Sequence, residues 1–202
     1  MTKLKTITAT AVLAHTGLAL VAGPASAEAA KFGSKVNKTV QPSNAGEAHP
    51  CPVGDYLSEP AKPCTWVMGE AYGNPGGEGS PKKGKLRKLK LVAGEKGSFR
   101  LQIARVKPNG KAKVVRNGPR IRYQGQPADG DPETYRVERF KVKVPIKAGE
   151  RLAIKTKKTS TLRCSSGGPN TLLFHPPLVP GSPLASPTDD DGCWLLLQGI
   201  VR

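Results

Sequence analysis

Lys88-Leu89-Lys90-Leu91-Val92-Ala93-Gly94-Glu95-Lys96-Gly97-Ser98-Phe99-Arg100-Leu101-Gln102-Ile103-Ala104 alternates polar and apolar residues on both sides of a short glycine-bearing link. A side-chain period of two places Leu89 and Leu91 on one face of a strand, and Phe99, Leu101 and Ile103 on one face of the next. Residues 93–97 are the right length for a hairpin connection between them. The fold class follows: strands with one apolar face and one polar face, joined by tight turns.

Working outward, the same grammar recurs. Residues 65–72 alternate Trp66, Met68 and Tyr72 against Thr65, Val67 and Ala71, and a loop containing Gly73, Pro75, Gly76, Gly77, Gly79 and Pro81 follows. Pro108 and Gly110 mark a second turn, after which residues 112–123 read as one strand bent at Asn117-Gly118-Pro119, or as two short ones. In 135–144 the parity slips between Tyr135 and Val137 on one side and Phe140, Val142 and Val144 on the other, which predicts a bulge near Glu138-Arg139. Leu152 and Ile154 point inward in the next strand, 162–165 and 171–174 follow, and 193–201 is apolar enough to predict a final strand covered on both faces. Many short strands, close turns and no amphipathic helix predict an all-β, antiparallel β-sandwich.

Phe140-Lys141-Val142-Lys143-Val144-Pro145-Ile146-Lys147-Ala148-Gly149-Glu150-Arg151-Leu152-Ala153-Ile154 resembles the signature of secreted bacterial β-sandwich proteins of the jelly-roll type: valine-proline, then Ala-Gly-Asp/Glu, then alternating aliphatics. The resemblance is strongest over 89–154 and extends through the Cys164 region to the C-terminus. It implies a jelly-roll-like sandwich and no activity.

Three segments are expected. Lys3 and Lys5 precede an apolar run over 9–22, and Ala25-Ser26-Ala27 offers small residues at a cleavage position, so 1–27 reads as a signal peptide and the protein as secreted. Residues 28–63 carry Pro42, Pro50, Pro52, Pro60 and Pro63, which exclude helix interiors and central strands and predict an extended Pro-rich arm. Residues 64–202 are the sandwich. No later apolar run is long enough for a transmembrane helix, so the mature chain is expected to lack one.

Cys51, Cys64, Cys164 and Cys193 all follow the signal, and an even number of cysteines in an oxidising compartment predicts two disulfides. Of the three possible pairings, Cys51 with Cys64 and Cys164 with Cys193 close the shorter, turn-rich loops, each contributing about 2 to 4 kcal/mol. A zinc site is the rival reading, but no Cys-x-x-Cys pair is present and only His49 and His175 remain to help, so no metal is expected.

The chain has 32 Lys and Arg against 15 Asp and Glu, a formal charge of +17. Such a field favours polyanions. The basic residues are also placed: Lys88, Lys90, Arg100, Arg122, Lys141, Lys143 and Lys155 take the outward positions of strands whose inward positions are apolar, and Glu95 is the only acid between Pro81 and Arg122. These seven are the candidate polyanion-binding residues, with an anionic envelope polymer or polysaccharide as partner. The same lysines would also serve to block edge-to-edge aggregation. Without interleaved aromatics or a nucleic-acid motif, a specific nucleic acid is not expected.

A carbohydrate-binding module is the alternative, and its stacking residues would come from Trp66, Tyr72, Tyr123, Tyr135 and Trp194. Trp66 and Trp194 stand beside Cys64 and Cys193, which favours burial against a bridge. Ser165-Ser166-Gly167-Gly168-Pro169 contains the Ser-Gly-Gly-Pro string of chymotrypsin-like proteases, but Ser165 stands where that family has Asp, and His49 lacks its Ala-Ala-His-Cys context. A turn after a strand explains the string, so no enzyme and no cofactor is expected. Asp189-Asp190-Asp191-Gly192 offers carboxylates for calcium, but reads first as a solvated turn before the last strand.

Overall fold

The computed structural model describes residues 28–36, 51, 62–126, 135–157 and 162–202, with only the backbone of 164–170 and of Asp191. The expected signal peptide and most of the expected arm lie outside the described residues. Ten strands and no helix occur among the described residues: β1 (Ala30–Gly33), β2 (Cys64–Met68), β3 (Gly84–Val92), β4 (Gly97–Val106), β5 (Ala112–Tyr123), β6 (Val137–Ile146), β7 (Arg151–Thr156), β8 (Cys164–Phe174), β9 (Asp189–Leu195) and β10 (Leu197–Val201). They form two antiparallel sheets, ordered β1-β10-β3-β6 and β5-β4-β7-β2-β8-β9.

The sheets face each other across one apolar core. Phe32, Leu86, Leu89, Leu91, Val142, Val144, Ile146 and Val201 from the four-stranded sheet meet Trp66, Met68, Phe99, Leu101, Ile103, Ile121, Leu152 and Ile154 from the six-stranded one. The expected inward residues of β3, β4 and β7 all lie here, with Trp66 and Met68 of β2; Tyr72, expected on the same face as those two, lies beyond the end of β2 and packs in a separate cluster. At roughly 25 cal/mol per Å² of apolar surface, this burial is the main term holding the sandwich closed.

The connection between β3 and β4 differs from the hairpin expected at 93–97. The two strands belong to different sheets, so that Leu89 and Leu91 look across the core toward Phe99, Leu101 and Ile103. Two amphipathic strands can bury their apolar faces side by side or face to face, and local alternation is identical in both cases. The link is held by the rest of the chain: Ala93 bridges Leu162, and the Gln126 amide donates to the Gly94 carbonyl at 2.8 Å. The turn at 107–110 is a true hairpin, with Val106 opposite Ala112. β5 is one strand, irregular where Gly118 and Pro119 pass β4; Pro119 cannot donate to the ladder, and β5 is an edge strand.

The bulge in β6 lies elsewhere than predicted. Pairing with β3 runs unbroken from Val92–Val137 to Lys88–Lys141, and the register shifts between Leu86 and Lys88, where Val142 and Lys143 together oppose Arg87. Tyr135 and Val137 need no correction of parity, because they pack in a separate cluster with Val36, Val92, Leu196 and Tyr72.

The apolar C-terminal run divides. β9 ends at Leu195, and β10, beginning at Leu197, joins the other sheet; Leu195, Leu196 and Leu197 are all fully buried, as expected for a segment covered on both faces. Asp189, Asp190 and Asp191 form the start of β9 instead of a turn, opposite Leu173, Leu172 and Thr171. Residues 28–36 likewise depart from the expected arm, since Ala30–Gly33 adds an edge strand beside β10.

Cys51 and Cys64 form a disulfide, closing a loop with a sequence separation of 13, a constraint of about 3 kcal/mol on the unfolded chain. The expected partner pair, Cys164 with Cys193, involves a side chain outside those described. On the outer face of the six-stranded sheet, Val67, Ala104, Ala112, Val114, Ala153 and Phe174 form a further apolar cluster capped by Leu178 from the loop after β8. Thr65 and Gln102 beneath it are buried: Gln102 Nε2 donates to the Leu178 carbonyl at 3.2 Å and to Asn117 Oδ1 at 2.9 Å, and the Leu178 amide donates to Thr65 Oγ1 at 3.1 Å.

Candidate polyanion-binding surface

The seven predicted basic residues separate into two groups on opposite sheets. Lys88, Lys90, Lys141 and Lys143 belong to β3 and β6, adjacent in the four-stranded sheet, and Arg100, Arg122 and Lys155 to β4, β5 and β7 of the six-stranded one.

On the four-stranded sheet the alternation of β3 and β6 turns leucines and valines into the core and cations outward. Register then aligns the cations across strands. Lys88 is directly opposite Lys141, and Lys90 directly opposite Arg139. The first row continues through Ile200 of β10 to Lys31 of β1, and the second through Gln198. Glu138 is the only carboxylate on these four strands, and it is engaged with the Gln124 and Gly125 amides at 3.0 and 2.9 Å. Like charges directly opposite on adjacent strands are destabilising. Their mutual field is visible at Lys90: burial first, then Lys31, Arg139 and Lys88, hold its ammonium below the ordinary lysine value. Lys31, Lys35, Asn74, Lys90 and Gln198 line a shallow cleft of about 320 Å³ on this face.

Arg139, Lys31 and Lys35 were not among the predicted residues. Arg139 carries the same alternation as Lys141 and was legible from it; Lys31 and Lys35 join the face only because β1 docks on β10.

On the six-stranded sheet, Arg100 lies between Arg120 of β5 and Lys155 of β7, and Arg122 is opposite Ser98. Gln102 and Ala104, outward in the same strand, are covered by the loop carrying Leu178, so the row containing Arg100 is the first that this loop leaves bare.

Not every cation is unopposed. Glu150, 1% exposed, accepts from Arg105 at 3.3 Å and from Arg116 through both carboxylate oxygens, and Lys147 N donates to it at 2.8 Å. Burial alone would raise its carboxyl, but the bond from Arg116, the Lys147 amide and Arg105 outweigh it and hold the group below its ordinary value. Arg151 pairs with Glu78 at 3.2 Å. Arg163, 1% exposed, donates to the Gln126 carbonyl at 3.1 Å and lies over the Tyr135 ring. Nothing in the sequence marked these arginines as structural; their partners are distant in the chain.

The proposed sugar-stacking residues do not assemble into a platform. Trp66, Tyr123 and Tyr135 are buried, Tyr123 against Phe99, while Tyr72 and Trp194 are half-buried and meet edge to face at 5.5 Å. Of the protease-like residues, His49 and the Ser166 side chain lie outside the described residues, and the His175 ring is engaged through Nδ1 with the Pro63 carbonyl at 3.1 Å. Asp189 and Asp190 are successive residues of a strand and project to opposite faces, and no group of three or more metal-ligating side chains occurs among the described residues. No helix among the described residues is long and apolar enough to cross a membrane.

Comparison of the chain with protein-family models, with curated proteins and with solved structures returns no match.

Proposed function

We propose that the protein is a secreted, non-enzymatic binding protein whose four-stranded sheet associates electrostatically with an anionic polymer of the cell envelope. The observation that carries this is the register of β3 and β6: Lys88 against Lys141 and Lys90 against Arg139, on a face with no outward carboxylate. A surface used only for solubility gains nothing from setting like charges directly opposite each other, whereas a linear polyanion relieves that repulsion along its whole length. Export is read from Lys3, Lys5, the apolar run and Ala25-Ser26-Ala27.

Within the sandwich class, the jelly-roll form is supported by strand order. β1-β10-β3-β6 over β2-β7-β4-β5 is the order that eight antiparallel strands take when wound as two Greek keys, with β8 and β9 added as a hairpin beside β2. This agrees with the resemblance to secreted bacterial jelly-roll-like proteins. A second bridge, Cys164 to Cys193, is supported by the bonded state of the Cys193 sulfur, since Cys51 and Cys64 are already paired with each other.

The protein is expected to bind a heparin or phosphocellulose column at low ionic strength and elute at moderate salt. Exchanging Lys88, Lys90, Lys141 and Lys143 for Gln should advance elution, and the slope of log affinity against log salt should shrink by about 0.7–0.9 per lost contact. Passage through either column at low salt would overturn the reading, as would unchanged elution of the fourfold variant.

A further inference from the structure

We infer that the cleft on the six-stranded sheet is a second binding site, built to take a tetrahedral oxyanion ester group, phosphate or sulfate, on the guanidinium groups of Arg100 and Arg120. The cleft has a volume of about 770 Å³, and its lining includes Arg100, Arg120, Arg122 and Lys155, with Ser98 and Asn117 as neutral hydrogen-bonding groups and no carboxylate. A space of this size suits a small ligand or one unit of a polymer.

The arginines of the β4–β5 hairpin divide into two classes. Near its turn, Arg105 and Arg116 share the buried carboxylate of Glu150. At its open end, Arg100, Arg120 and Arg122 have no ion pair among the described residues, although Arg100 and Arg120 are directly opposite and Lys155 flanks Arg100 on its other side. The chain therefore gives the arginines near the turn a carboxylate partner and sets those at the open end side by side without one. Adjacent strands bring the Cα atoms of Arg120, Arg100 and Lys155 into a row spanning about 10 Å, at a cost in repulsion that a bound anion removes.

The chemistry differs from that of the lysine face. Arg100 Nη1 donates to the Gly118 carbonyl at 3.2 Å, which orients the guanidinium and leaves its remaining donors for a ligand. Planar forks match the spacing of oxygens on a tetrahedral oxyanion, and lysine ammonium groups offer only point charges. This site thus selects the ester group itself, where the opposite sheet follows overall charge. It lies on the other sheet and stands independently of the polymer reading.

Isothermal titration calorimetry of the full chain with sodium pyrophosphate and, separately, sodium sulfate at low ionic strength tests it. Saturable binding of one anion per chain is expected. Pyrophosphate carries more charge than sulfate, so the two esters are told apart with inorganic phosphate at about pH 8, a dianion like sulfate: tighter phosphate identifies a phosphate ester as the natural group, and tighter sulfate a sulfate ester. Arg100→Gln with Arg120→Gln should weaken binding roughly tenfold or more. Arg100→Lys with Arg120→Lys keeps the charge and should still weaken it severalfold, because the forks are gone. Lys88→Gln with Lys141→Gln on the far sheet should leave it within about twofold. If the arginine double variant fails to fold, as judged by thermal melting, Arg122→Gln with Lys155→Gln serves in its place with the same expected direction. No saturable binding of either anion, or full affinity retained without the two guanidinium groups, would overturn the site. Loss of column retention with pyrophosphate binding intact would overturn only the lysine-face reading.

Discussion

Glu150 shows how one buried carboxylate organises a corner of a strongly cationic protein. It lies in the turn between β6 and β7, where it gathers Arg105, Arg116 and the Lys147 amide. Glu150→Gln keeps the shape and removes the charge, and should cost about 1–3 kcal/mol at neutral pH. Because the folded carboxyl is held below its ordinary 4.5, its contribution is complete above that value and is lost as pH falls through the lower folded one. Denaturation midpoints of the variant and wild type should therefore differ at neutral pH and converge in strong acid; a gap independent of pH would contradict the assignment. Lys90 has the opposite sign. Its depressed ammonium is a cost at neutral pH that is relieved as pH rises toward the ordinary lysine value. The lysine-rich face thus carries a cost in stability, whereas the Glu150 corner adds to it.

The position of β10 between β1 and β3 depends on Gly199. A methyl group there would lie 2.5 Å from a ring carbon of Phe32 and 2.8 Å from Leu86, inside any allowed contact. Gly199→Ala should destabilise by about 1–3 kcal/mol through overpacking. It should also release β1, seen as faster hydrogen exchange at residues 30–33, with Phe32→Leu restoring part of the loss. Undiminished protection of β1 would show that the strand docks without Phe32. The elements themselves were mostly legible. Period-two alternation located β3, β4, β6 and β7 and their inward residues. It missed β1, whose four residues are too few to show a period, and it merged β9 with β10, because an all-apolar run carries no mark of where it changes sheets.

For the whole molecule, charge and fold act against each other. Two outer surfaces on opposite sheets carry like-charged rows, so screening should stabilise the protein. The melting temperature should rise as sodium chloride is raised from low to physiological concentration, where the Debye length shortens to about 8 Å. Heparin at low salt should raise it further, by mass action on the folded state. A melting temperature that falls steadily with salt would mean that ion pairs such as those of Glu150 and Glu78 dominate the electrostatics instead. The same separation of the basic residues onto two sheets means that the protein presents cations on both sides, one side lysine-rich and the other arginine-rich.

Alternation along the chain determined by itself that the protein is made of amphipathic strands, which side chains enter the core, and that Lys88, Lys90, Arg100, Lys141 and Lys155 face outward. It was local information, decided within a few residues. Which strands share a sheet, whether a link is a hairpin or a crossing, which cations meet across strands, and which arginines find Glu150 or Glu78 were decided only by tertiary structure. The reason is physical: a strand's apolar face specifies that it must be covered, and any other apolar face of the right size will satisfy it, so the choice of neighbour belongs to the assembled sandwich.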